Sequence, residues 1–202
     1  MKTLVIKSSI LGDNSKSKVL AGHLVAKIKH ANPTGVVTVR DLGANPLPQL
    51  DGNVVGAFFT PADARTPAQK EIVALSESLI AELQDADRVV FTVPVYNFGL
   101  PAQLKTYIDY IARSGVTFRY SAEGVPEGLI KGKEVIVLIA RGGKAEGTPN
   151  DTLTPYLRQV LSFVGMSDLT FIAAEGMGMG PEAVTAGLEE AKVRIDALTI
   201  KA

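Results

Sequence analysis

A three-layer α/β sandwich around a five-stranded parallel sheet is predicted by three observations on the 202-residue sequence. Five runs of strand length, residues 3–7, 36–40, 88–93, 134–140 and 169–174, are rich in β-branched and other apolar residues. Segments with helical period separate them. The first, third and fourth runs also have continuous apolar centres, as strands covered on both faces do. Nothing divides the pattern into two cores, so residues 1–202 are expected to form a single domain.

The first helix is predicted from Leu20, Leu24 and Ile28, spaced by four, with Val25 beside them and His23, Lys27 and His30 on another face. That placement puts both histidines in solvent and excludes metal or general-base roles for them. The second helix opens with Thr66, Pro67 and Gln69, which read as an N-cap, a first-turn proline and the glutamine of a capping box. Ile72, Leu75, Leu79 and Leu83 form its stripe. The third is expected over about residues 101–113, with Leu104, Ile108 and Ile111 inward and Gly115 placed to end it. Leu153, Leu157, Val160 and Val164 mark the fourth before Gly165, and Gly180 and Pro181 open the last, which buries Val184, Leu188 and Ile195.

Five alternations of strand and helix imply right-handed crossovers and suit the strand order 2-1-3-4-5. That order has a switch point between the first and third strands, where ligands bind. Two connections, residues 41–61 and 114–132, exceed what a crossover needs and are expected to be loops that cover a site or build a partner interface.

Composition narrows the function. Apolar residues make up 46% and charged residues 21%, and the 21 basic side chains are scattered among 21 acidic ones. A nucleic-acid partner would call for a basic stripe, so none is expected. The chain has no cysteine, which excludes a thiol nucleophile, an iron–sulfur cluster and thiolate-bound zinc. Redox chemistry would have to come from a cofactor. No window approaches a membrane span and the N-terminus runs straight into a strand, so a cytoplasmic protein without a membrane partner is expected.

Three loops follow strand ends on the predicted binding edge. The first, residues 8–17, carries Ser9, Ser15 and Ser17 into the start of the first helix. A helix N-terminus presents unpaired N–H groups and a positive dipole, so it grips phosphate without an arginine; Lys16 would contribute its amide. Any one serine taken alone fits a plain capping role better, and it is the cluster of polar residues that favours a ligand. Neither G-x-G-x-x-G nor the P-loop pattern is present, which points to a mononucleotide. The second loop, Val95-Tyr96-Asn97-Phe98, places an aromatic pair around an asparagine, suited to a flat heteroaromatic ring or to core packing. The third, Ala140-Arg141-Gly142-Gly143, permits close backbone approach, and Arg141 is open to a site role or to a surface one.

On these residues the chain resembles the FMN-dependent NADH-azoreductases, members of the flavodoxin-like NAD(P)H:quinone oxidoreductases. The resemblance runs through VIKSSILGDNSKS, TVRDLGANPLPQLDG, PVYNFGLPAQLKTYIDYIARSGVTFRY, GLIKGKEVIVLIARGG and AAEGMGMGPE. It implies a homodimer with one FMN per subunit at the interface, and a ping-pong cycle in which NADH or NADPH gives way to a quinone or azo acceptor. It assigns phosphate to Ser9, Ser15, Lys16 and Ser17, and the ring to residues 95–98 and 140–143. Val95 replaces the methionine of many relatives and Ala140 their serine, so backbone contacts are kept and a hydroxyl at position 140 is lost. Tyr120 would reach the partner's flavin or staple its own loop.

A flavodoxin-type electron carrier would share fold and cofactor. Such carriers rely on one-signed surfaces for docking, and this chain is formally neutral.

Overall fold

The computed structural model describes residues 1–201. In chain order the elements are β1 (Lys2–Lys7), α1 (Lys16–Ala31), β2 (Val36–Asp41), α2 (Gly52–Phe59), α3 (Pro67–Asp85), β3 (Arg88–Pro94), α4 (Ala102–Ile111), β4 (Phe118–Tyr120), β5 (Pro126–Gly128), β6 (Glu134–Ala140), α5 (Leu153–Phe163), β7 (Asp168–Ala174) and α6 (Pro181–Asp196). The sheet is parallel in the order β2-β1-β3-β6-β7. With the small hairpin strands β4 and β5 set aside, this is the expected 2-1-3-4-5, the flavodoxin-like fold.

Side chains alternate across a strand, so each central strand feeds two cores. Leu4, Ile6, Val89, Phe91, Val135 and Val137 pack with Leu79, Leu83, Leu104, Ile108, Leu157 and Leu161 of α3, α4 and α5. Val5, Val90, Ile136 and Leu138 pack with Leu20, Leu24, Ile28 and Ile195 of α1 and α6. Burying one such side chain contributes roughly 1.5–3 kcal/mol. β2 is an edge strand, and Val36 and Val39 are exposed there, which explains its weaker apolar run.

Both presumed loops contain regular structure. Residues 41–61 hold α2, whose N-terminus is capped by Asp51 Oδ1 accepting from Asn53 N and Val54 N at 2.9 Å each. Gly52 and Gly56 obscure this helix because glycine disfavours the helical state. Within residues 114–132, β4 and β5 pair antiparallel as a hairpin. The third predicted helix stops at Ile111, whose carbonyl accepts from Thr117 Oγ1 at 2.6 Å, and Gly115 lies in the turn beyond with φ of +76°. His23 is partly buried, its Nε2 lying 2.7 Å from Asp196 Oδ1 of α6, so it joins two helices.

Candidate functional site

Pro94 pairs with Ala140 and Ala140 with Ala174 at the carboxyl ends of β3, β6 and β7, so the loops after them emerge side by side. The loop after β1 lies alongside, anchored by Ser8 Oγ donating to Thr92 O of β3 at 2.7 Å.

In that first loop the serines turn inward. Ser9 is nearly buried, and its Oγ accepts from Leu11 N at 3.2 Å and lies 3.1 Å from the Tyr96 hydroxyl. Ser15 is the N-cap of α1, its Oγ accepting from Lys18 N at 3.3 Å, and a second contact of 3.0 Å joins it to Ser17 Oγ. Capping is thus real. It leaves the amides of Lys16 and Ser17 in the first turn, where no helical carbonyl can reach them. The Lys16 side chain is exposed. From behind, Gly43 presses on the loop: a Cβ at this position would lie 2.0 Å from the Ser9 carbonyl oxygen.

The second loop is a two-residue turn. Tyr96 and Gly99 exchange backbone hydrogen bonds of 3.0 Å, and between them Asn97 (φ +48°) and Phe98 (φ +66°) are left-handed, as in a type I′ turn. Asparagine tolerates this conformation, whereas it costs phenylalanine about 1–2 kcal/mol. Thr152 Oγ1 holds the turn by donating to Phe98 O at 2.8 Å. The result is a phenyl ring 85% exposed at the rim of a cleft, the kind of strain that collects at functional sites.

The third loop continues the sheet edge. Val95 N donates to Ala140 O at 2.8 Å, and Met177 N and Gly178 N donate to Arg141 O and Gly142 O at 3.0 Å each. The Arg141 side chain is 6% exposed, and its guanidinium donates to Asp151 Oδ1 at 3.1 Å, with Glu175 Oε1 3.7 Å from Nε. The surface reading of Arg141 is therefore overturned, since a buried guanidinium must have carboxylate partners. Asp151 also accepts from Thr154 N at 3.1 Å. Burial pushes the Asp151 carboxyl up, but Thr154 and the Arg141 charge outweigh it and hold the group below its ordinary range. Glu175 accepts from Ala145 N and Glu146 N at 2.7 and 2.8 Å, fixing the far bend of the same loop.

Together the second and third loops and the start of α5 enclose a cleft of about 710 Å³. Val95, Asn97, Phe98, Arg141, Gly142 and Gly143 line it, so the structure brings six of the candidate residues together. Ser9 adjoins the second loop, its Oγ 3.1 Å from the Tyr96 hydroxyl, while Ser15, Lys16 and Ser17 follow at the start of α1, and Ala140 is buried behind the third loop. Tyr120 is exposed on β4, packed edge-on against Phe118 at 6.0 Å, and is not part of this chain's cleft. Asp151, Thr152 and Glu175 complete the site; the sequence signal for Asp151 is its place just before an apolar helical stripe.

The donor set suits FMN. The first loop offers the amides, hydroxyls and helix dipole that a phosphate needs. At the ring end a Cβ on Gly143 would meet nothing within 4 Å, so open space adjoins that backbone.

A family profile described as a flavodoxin-like fold matches residues 1–198. The FMN-dependent NADH:quinone oxidoreductase of Bordetella bronchiseptica is 66% identical over 202 residues, covering 100% of this chain and 97% of that one. Its namesake in Pectobacterium atrosepticum is 52% identical over 198 residues, covering 98% of each. The crystal structure of azoreductase from Bacillus anthracis str. Sterne superimposes with a TM-score of 0.85 at 31% identity, covering 98% of this chain and 100% of that one. Matched over almost its full length in sequence and in strand order, the chain belongs to the flavodoxin-like family of the FMN-dependent NADH:quinone oxidoreductases.

Proposed function

We propose that this protein is an FMN-dependent NADH oxidoreductase that reduces quinones and azo compounds, taking donor and acceptor in turn at one cleft by a ping-pong cycle. The observation that carries this reading is the open cleft of about 710 Å³, walled by the turn at Phe98 and the loop at Gly143. When bound, FMN would supply the redox chemistry, hydride acceptance from the nicotinamide and electron transfer to the acceptor.

The chain supplies binding and electrostatics. Ser9, Ser15, the Lys16 amide and Ser17 hold the phosphate. Val95, Tyr96, Asn97 and Phe98 take one side of the ring, and Ala140, Arg141, Gly142 and Gly143 the other, chiefly through the backbone. Amide donors in the third loop favour negative charge on the reduced ring without any reorganisation. The names of the relatives support NADH as donor and quinones as acceptors.

A homodimer fits the apolar groove of Leu50, Val55, Phe58, Phe59 and Phe118, in which Phe59 is 79% exposed. Tyr120, on the same hairpin as Phe118, then reaches a partner's cleft or braces its own strand. No described helix is long and apolar enough to cross a membrane, and operation in the cytoplasm is part of this proposal.

The test is reconstitution followed by steady-state kinetics. One FMN per chain and parallel double-reciprocal lines for NADH against a benzoquinone are expected. A chain that does not retain FMN defeats the reading, and intersecting lines defeat the ping-pong order.

A further inference from the structure

Two oxygens and four hydrogens meet where the first loop touches the second. Ile10 N donates to the Tyr96 hydroxyl at 3.3 Å, Leu11 N donates to Ser9 Oγ at 3.2 Å, and the two hydroxyl oxygens are 3.1 Å apart. An amide N–H only donates, so each oxygen already has a lone pair occupied. The contact between the oxygens uses one hydroxyl hydrogen. The other has no acceptor within the cluster, whichever of the two oxygens carries it, and neither hydroxyl has another protein partner among the described residues. One hydrogen and one lone pair are left over, so the pair can still donate one hydrogen bond.

A spare hydroxyl hydrogen in the loop that leads into the α1 N-terminus suits a ligand that accepts. A fully ionised phosphate is such a group, and hydrogen bonds to it are charge-assisted. The phenol has a second effect. By taking the Ile10 amide it fixes the backbone between Ser9 and Leu11, so the serine oxygen is held from two sides.

We propose that the Tyr96 hydroxyl is a positioning group for the phosphate of FMN, acting through Ser9, and that it makes this site select FMN over riboflavin. The inference rests on the reading that the Ser9 loop takes the phosphate. It separates the two ends of one residue: the Tyr96 backbone shapes the turn at the ring, and its hydroxyl serves the opposite end of the cofactor. Recognition of the phosphate is thereby tied to the left-handed turn at Asn97 and Phe98, one residue further on.

The test titrates the flavin-free full-length chain with FMN and with riboflavin, following flavin fluorescence. Tyr96→Phe is expected to raise the FMN dissociation constant roughly tenfold and to leave riboflavin within about twofold of wild type. Ser9→Ala, which keeps the Tyr96 bond to Ile10, is expected to lose FMN selectively as well. In the double variant the second substitution adds little, because both act through one donor pair. Unchanged FMN affinity in either single variant overturns the proposal. So does an equal loss of both flavins, or full additivity. Thermal melts confirm that each variant is folded, and Ser9→Ala decides alone if Tyr96→Phe does not fold. If the wild-type chain binds riboflavin as tightly as FMN, the phosphate reading itself fails, and the proposal with it.

Discussion

The buried guanidinium of Arg141 and the Asp151 carboxylate, 3.1 Å apart, tie the third loop to the first turn of α5. One residue later, Thr152 ties α5 to the Phe98 turn, so a single helix start joins both walls of the cleft. Removing Asp151 would leave the buried Arg141 cation with Glu175 alone, 3.7 Å away, at a cost of up to about 3–5 kcal/mol. Asp151→Ala is expected to destabilise the fold by that order in urea titrations. Asp151→Asn should cost less, because asparagine caps Thr154 as well as aspartate does.

The same carboxylate gives a pH signature. Its folded-state pKa lies below the ordinary range, since Thr154 and Arg141 together outweigh burial. The stability it contributes is therefore complete above the ordinary carboxylate pKa and is lost as pH falls through the folded value. Acid unfolding curves of wild type and Asp151→Asn should converge at low pH and diverge above it. A constant gap at every pH would show that the charge plays no part.

Gly43→Ala is expected to weaken FMN binding from a position that is not itself assigned to the cofactor. The new methyl group would lie 2.0 Å from Ser9 O, so the backbone of the first loop must move. Fluorescence titration should show at least a roughly tenfold loss, since a charge-assisted hydrogen bond is worth about 1.5–3 kcal/mol. Wild-type affinity would mean that Ser9 does not contribute.

Ser15→Asp separates capping from phosphate binding. Aspartate is as good an N-cap as serine, so the melting temperature should hold within about 2 °C. FMN affinity should fall if the end of α1 takes the phosphate as proposed, because a carboxylate then occupies it. Unchanged affinity would leave Ser15 with a capping role only.

Phe98→Gly relieves a left-handed phenylalanine and is expected to stabilise the protein by up to about 1 kcal/mol, read as a higher melting temperature. The same change removes the exposed ring from the cleft rim and should raise KM for quinone. A variant that gains stability and keeps KM would show that the strain has no part in acceptor binding.

The sheet order, the two cores and most helices were legible because period, β-branched runs and cap residues agreed along the chain. Helix α2 was not, since Gly52 and Gly56 argue locally against a helix that tertiary contacts of Val54 and Ala57 sustain. At the cleft, the glycines and aromatics were readable from composition and position. The direction of Arg141 was not, because a charge next to two glycines looks like surface until Asp151 and Glu175 come to it from elsewhere in the chain. Gly43 was likewise silent, for its neighbour is the Ser9 carbonyl rather than anything adjacent in sequence.

Between the anchors Arg141 and Asp151, Lys144, Ala145, Pro149 and Asn150 line the cleft, all but Ala145 exposed to solvent. Substitutions there alter what an incoming acceptor meets without disturbing the sheet, the cores or the ion pair beneath. On the proposed function, acceptor choice would thus be adjustable within one short surface segment, apart from the residues assigned to the cofactor.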